Sequence, residues 1–264
     1  MDQVKDQPNP GRLHFSGERI VPGEVPVDLE LRHRRRYEFA ATYVEGKRVL
    51  DVGCGEGYGC AILAKNASHV IGVDISHEAI AHATVKYSVN IVEFRCMPAE
   101  KLSFPDESFD AVVCLELIEH ARDYTSVMKE LRRVLRPGGT LILSTPNRRI
   151  VSPGSQKPLN EYHVREFDVK ETRELCRCYF SEVEFFTQSN PFGKSRKLVR
   201  WAMALDFARF RKLFPRSSRE GIKWGAREVL GETIEGEPEA DRWAVIEGVN
   251  RSSHPIIAVC RKRK

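Results

Sequence analysis

The feature that most constrains this chain is a glycine-rich turn, Asp51-Val52-Gly53-Cys54-Gly55-Glu56-Gly57-Tyr58-Gly59, placed directly after a short apolar run. Glycines at alternate positions permit positive φ and let main chain approach another group closely. A run such as Arg48–Val52 that enters this turn reads as a buried strand passing straight into a helix. Ligands of open α/β sheets bind at the carboxyl ends of such strands, so the turn predicts a binding site as well as a fold.

The rest of the chain supports a parallel sheet. Further strands are predicted at His69–Asp74, 91–95, Phe109–Leu115 and 140–144, with a helix over His77–Tyr87 capped by Ser76. Tyr124, Val127, Met128, Leu131, Val134 and Leu135 recur at helical spacing, and Pro137-Gly138-Gly139 ends that helix. A helix over Val169–Tyr179, a sixth strand at 181–187 and a last one at 255–260 complete the pattern. Right-handed crossovers put the helices on both faces of one sheet. The expected organisation is an N-terminal segment (1–46), a core (47–189), a helical insertion (190–250), and a final core strand with a basic tail (251–264).

Composition narrows the class. Hydrophobic residues at 41% and charged residues at 30% suit a globular domain, and no apolar run reaches the ~18–20 residues of a membrane span. The polar start MDQVKDQPNPGR does not read as a secretory signal, so a cytoplasmic location is expected. The seven cysteines include no CxxC pair, which points to reduced structural thiols. The net charge of +5 names no partner.

Asp74 ends the second strand 21 residues after Gly53. A carboxylate there can accept hydrogen bonds from both hydroxyls of a ribose, or place charge at the next helix N-terminus. The dinucleotide fingerprint G-x-G-x-x-G fails, because the sixth position is Tyr58 counted from Gly53 and Cys60 counted from Gly55. A nicotinamide-dependent dehydrogenase is therefore disfavoured.

The run VLDVGCGEG, then VIGVDIS, PAEKLSFPDESFDAVVCLELIEH and ELRRVLRPGGTLILSTPN, resembles class I S-adenosylmethionine (SAM)-dependent methyltransferases. The looser flanks GERIVPG, RHRRRYEFAATYVEGK and YHVREF are similar to methyltransferases of surface-polysaccharide and small-molecule pathways. The resemblance implies an α/β, doubly wound, Rossmann-like sheet of seven mostly parallel strands, with the last strand antiparallel and a helical insertion before it. It implies that Asp51, Gly53 and Gly55 contact the methionine part of SAM, that Asp74 holds the ribose and that Ile75 packs on the adenine. Ala99 and Glu100 fall at the adenine edge, Leu115 beside the sulfonium, and Arg34 or Arg36 at a position that reaches the methionine carboxylate.

Chemistry is expected where the fourth strand opens into Glu116-Leu117-Ile118-Glu119-His120. In a helical turn Glu116, Glu119 and His120 share one face as i, i+3 and i+4. The set resembles the E-x-x-E-H of quinone-pathway O-methyltransferases, where it implies a divalent metal; the same turn also serves relatives as a structural element without one. His120 is the leading general-base candidate and His163 the second, because an imidazole titrates near neutrality. Each could instead satisfy a buried carbonyl.

The insertion reverses sign along its length: eleven basic residues stand between Lys194 and Arg227 against Asp206 and Glu220, and acidic residues dominate from Glu228 to Glu247. Within it Val199, Met203, Phe207, Phe210 and Phe214 form an apolar arc. It reads as a packed helix, as a lid for an anionic substrate, or as a peripheral membrane contact through 194–227. The expected function is methyl transfer to an oxygen or nitrogen of a small molecule: a sugar, a quinone-like compound or a lipid-linked intermediate. A nucleic-acid methyltransferase and a SAM-binding protein without catalysis are the alternatives. The first is disfavoured because no D/N/S-P-P-Y/F/W motif follows the fourth strand.

Overall fold

The computed structural model describes Leu13 and residues 19–188, 244–251 and 253–263. The expected lid, apolar arc and membrane-contact segment lie outside the described residues. Elements run in the order α1 (Val27–Ala41), β1 (Arg48–Val52), α2 (Tyr58–Leu63), β2 (His69–Asp74), α3 (His77–Tyr87), β3 (Val92–Cys96), β4 (Phe109–Leu115), α4 (Tyr124–Val134) and β5 (Leu135–Thr145). There follow α5 (Arg148–Val151), α6 (Val169–Tyr179), β6 (Glu182–Gln188), β7 (Val245–Glu247) and β8 (Ile256–Arg261).

One sheet has the order β3-β2-β1-β4-β5-β8-β6-β7. β1 pairs in parallel with both β2 and β4, β4 with β5, and β2 with β3. β8 enters antiparallel between β5 and β6. The described sheet thus has eight strands rather than seven. The additional one is β7, which pairs antiparallel with β6 at Phe186–Gln188 and occupies residues expected to belong to the helical insertion.

β1, β4 and β5 are buried on both faces, which explains their unbroken apolar runs. On one face Val127, Met128, Leu131 and Val134 of α4 pack with Leu50, Val112 and Leu141; on the other, α1 and α2 supply Tyr37, Ala40 and Leu63. Ser76 caps α3 by accepting from Ala79 N–H at 3.2 Å, as its sequence position predicts. Helix α4 stops at Val134, before Pro137: Leu135 is already extended (φ −73°, ψ 137°) because it joins β5 opposite Phe109.

Lys262, in the expected basic tail, donates to the Leu135 carbonyl (2.6 Å) and to Glu107 (3.2 Å). Among the described residues no helix is long and apolar enough to cross a membrane. Leu131 is fully buried in the α4 stripe. Leu131→Ala is expected to cost about 2–5 kcal/mol in urea denaturation, since the rigid sheet beneath cannot fill the cavity.

Candidate cofactor and active site

The glycine turn is held by main chain. Gly53 and Cys54 N–H both donate to the Val73 carbonyl (2.8 and 3.0 Å), so the end of β1 closes onto the end of β2. Gly53 has φ +79°, and a Cβ there would collide with the Leu117 side chain. Asp74 braces both the glycine turn and the start of α3. One oxygen accepts the Gly55 N–H and the other the Ser76 N–H, each at 2.9 Å, and the carboxylate still stands in the wall of a cavity. Each oxygen keeps lone-pair capacity for a ligand hydroxyl.

That cavity measures about 330 Å³. Of the residues expected at a cofactor, Gly53, Gly55, Asp74 and Ile75 line it, as do Ala99, Glu100 and Leu115. Ile75 is 72% exposed, an apolar surface suited to a planar base, with Met97 in the same wall. Arg36, Tyr37, Glu116 and His120 also line it.

Arg34 lies outside the wall; of the two arginines the sequence offered, only Arg36 faces in. It is 1% exposed, and its Nη1 lies 3.2 Å from Glu116 Oε2. Its Nε and Nη2 have no hydrogen-bond partner among the described residues. Buried donors without partners are costly, which makes Arg36 a ready anion receptor.

Asp51 also lies outside the wall. It is fully buried behind the turn, accepting from the Tyr37 hydroxyl (3.4 Å) and the Cys60 thiol (3.2 Å). It supports the turn from behind.

Among the lining residues that the sequence reading missed are Arg19, His33 and Glu56. Arg19 lies across Gly55, where an added Cβ would come within 3.2 Å of its Cγ. His33 is kept below the ordinary imidazole pKa by burial and then by Arg36 and Arg32. Glu56, within the glycine turn, is buried and bound by His82 (3.0 Å), Lys86 (2.7 Å) and Tyr87 (2.9 Å), which ties the turn to α3. Only Glu56 had a local signal, as the polar residue between two turn glycines.

The expected Glu116–Glu119–His120 set does not assemble. Residues 116–120 form a turn rather than a helix, with His120 N–H bonded to the Leu117 carbonyl (2.9 Å). Glu116 has φ +54°, a left-handed conformation, and its carboxylate turns to Arg36 and to the Ser144 hydroxyl (2.7 Å). Glu119 is buried and accepts from Thr145 (3.0 Å); burial, and then the charge of Glu116, raise its carboxyl well above the usual range.

The group that does converge is Glu119, His120 and His163, with one potential ligand atom from each within 4.8 Å of the others. His163 is already committed, however. Asn160 Oδ1 accepts the Tyr162 N–H (3.1 Å), which orients its Nδ2 as a donor to His163 Nε2 (2.9 Å). The His163 Nδ1–H then donates to Glu166 (2.7 Å). The Asn160 donor would have to leave His163 Nε2 before that atom could take a metal.

His120, unlike His163, lines the cavity. Its Nδ1 sits 3.0 Å from the Tyr162 carbonyl, an acceptor only, so Nδ1 carries the hydrogen and the lone pair of the neutral ring is at Nε2. The two imidazoles meet edge to face, with centroids 4.9 Å apart. The loop that carries Tyr162 and His163 is pinned to the turn by Val164 and Arg165 N–H groups on the Glu119 carbonyl (2.8 and 3.1 Å).

Fold and cavity define a nucleotide-type site at the strand ends of a Rossmann-like sheet, and the chain's similarities agree. Residues 50–143 match the Methyltransferase domain family. A protein of Mycolicibacterium smegmatis named "Probable S-adenosylmethionine-dependent methyltransferase" is 40% identical over 180 residues, 68% of this chain and 69% of that one. A ubiquinone biosynthesis O-methyltransferase of Idiomarina loihiensis is 36% identical over 110 residues, 40% of this chain and 45% of that one. The fold matches Haemonchus contortus phosphoethanolamine N-methyltransferase 2 in complex with SAM at a TM-score of 0.55 and 20% identity, covering 88% of this chain and 53% of that one. The chain belongs to the SAM-dependent methyltransferases, and SAM is its methyl donor.

Asp51 provides a pH test of the turn. Burial drives its carboxyl from an ordinary 3.8 up to about 7, against the lowering effect of Cys60 and Tyr37. The folded state therefore favours the protonated acid. The associated stability is complete below pH 3.8 and is lost as pH rises through about 7. Between pH 5 and 7 wild type should lose about 2 kcal/mol relative to Asp51→Asn, measured by urea unfolding at each pH.

Proposed function

We propose that this protein methylates an oxygen of a small molecule, with His120 as the general base. The tautomer of His120 carries the proposal: the Tyr162 carbonyl holds the hydrogen on Nδ1, leaving Nε2 as the basic atom of a side chain in the cavity wall. The name of the Idiomarina relative supports an oxygen acceptor. Sugar, quinone-like and lipid-linked hydroxyls all satisfy this chemistry, and an amine acceptor is the variant that needs least from the base.

SAM supplies a methyl carbon activated by a sulfonium. The chain's own residues bind and orient. Asp74 takes the ribose hydroxyls, Ile75 and Ala99 flank the adenine with Glu100 at its edge, and the Gly53–Gly55 backbone approaches the methionine chain. Leu115 packs beside the sulfur, and Arg36 takes the carboxylate with its Nε and Nη2, unpartnered among the described residues. Asp51 acts one layer behind.

His120 Nε2 accepts the acceptor's hydroxyl proton as the nucleophile attacks. His163, with both nitrogens bound, supports the His120 ring and takes no proton. No step is assigned to a metal.

The acceptor is found by incubating the protein with methyl-labelled SAM and a fractionated extract alongside simple catechols and sugars, and following the label. With an acceptor in hand, His120→Ala should lower turnover about 10²–10⁴-fold while S-adenosylhomocysteine affinity, read by calorimetry, stays essentially unchanged. Wild-type turnover in that variant would remove His120 from the mechanism.

A further inference from the structure

Resting on the reading of His120 as the base, we propose that His33 is a specificity residue for the acceptor. It hydrogen-bonds a second hydroxyl of an uncharged polyol or catechol while the first hydroxyl reacts at His120. Both histidines line the cavity. His33, Arg36 and Tyr37 stand at i, i+3 and i+4 of α1, so one face of the helix brings all three to it. Arg36 meets Glu116 and Tyr37 meets Asp51, whereas His33 makes no hydrogen bond among the described residues.

Its place relative to the sheet assigns His33 to the acceptor rather than the donor. Asp74, the proposed ribose partner, ends β2 on one side of β1. His33 belongs to the other side. The charged groups that act on it are Arg36, Arg32 and His254. The Arg32 carbonyl accepts from Gln188 Nε2 (2.9 Å) at the end of β6, and His254 Nδ1 accepts from Asn147 N–H (3.3 Å) just beyond β5. Between these two groups of strands lies β4, which leads into the His120 turn. An acceptor with its reacting hydroxyl at His120 can thus extend away from Asp74, toward His33.

The chemistry of the ring selects the partner. Burial, and then Arg36 and Arg32, disfavour the imidazolium. The neutral ring offers one N–H and one lone pair, the complement that a hydroxyl itself offers. An acceptor with a single hydroxyl would cover this ring and leave it unbonded, which a polar site penalises.

The test is NMR on the full-length protein saturated with S-adenosylhomocysteine and carrying isotope-labelled histidine, with the His33 signals assigned from His33→Gln. The probes are methyl glucoside and catechol, with cyclohexanol and phenol as their single-hydroxyl counterparts. At least one diol should shift the His33 ring signals to saturation and bind about tenfold more tightly than its counterpart, the size of one neutral hydrogen bond. A response to the glucoside identifies a sugar-like acceptor, and a response to catechol a quinone-like one. His33→Phe, which keeps a ring without its hydrogen bonds, should erase the preference. His33→Gln keeps a donor and an acceptor and should retain most of it. By calorimetry, S-adenosylhomocysteine affinity should stay within about twofold of wild type in both variants.

No response to either diol overturns the proposal, as does a preference that survives His33→Phe. A tenfold loss of S-adenosylhomocysteine affinity in both variants would make His33 a donor ligand and overturn it too. Should His33→Phe fail to fold by circular dichroism, His33→Ala takes its place with the same expectations. Normal turnover in His120→Ala would remove the base and leave the His33 contact standing, so the two readings fail separately.

Discussion

The parallel pairing of β1 between β2 and β4 is the constraint on which the rest depends. Parallel neighbours end at the same edge of the sheet, so Gly53, Asp74 and Glu116, far apart in sequence, are delivered to one rim. The Val73 carbonyl then takes two N–H groups of the glycine turn, and Asp74 takes a third. The turn is thereby set by β2 as much as by its own glycines. A rigid rim of this kind lets a small set of side chains meet a ligand without reorganisation.

Around the rim, charge is arranged in layers. Asp51 is buried behind the turn and binds Tyr37 and Cys60, while Glu56 lines the cavity and binds His82, Lys86 and Tyr87. Arg36, Glu116, Asp74 and His120 stand in the cavity wall. The division follows from access to the cavity. An acid with no route to a ligand is satisfied by the protein or neutralised, as Asp51 is, whereas groups at the wall can keep unused capacity.

The histidine pair shows the same economy. Two imidazoles in edge-to-face contact would be interchangeable bases by composition. Position separates them: His120 stands in the cavity wall with its tautomer set by a carbonyl, while an amide and a carboxylate hold His163 outside it. That separation arises from a loop more than 40 residues beyond His120, held by the Glu119 carbonyl.

The strands, the α3 cap at Ser76, the glycine turn and Asp74 were legible in the sequence because each depends on local signals: apolar period, capping spacing and φ preference. Seen only from sequence, the acid–histidine run at 116–120 allowed a one-turn helix with three side chains on one face. Arg36 and Ser144, on other elements, favour the left-handed Glu116 that breaks this face. The choice between Arg34 and Arg36 was likewise invisible, since clustered arginines give helix α1 little polarity to set its phase; packing beside Tyr37 and Ala40 decided it. Sequence alone thus determined the class of fold and the rim proposed to hold the donor. Only tertiary structure decided which charges meet there, because long-range pairing, and not local propensity, supplies the energy that orients them.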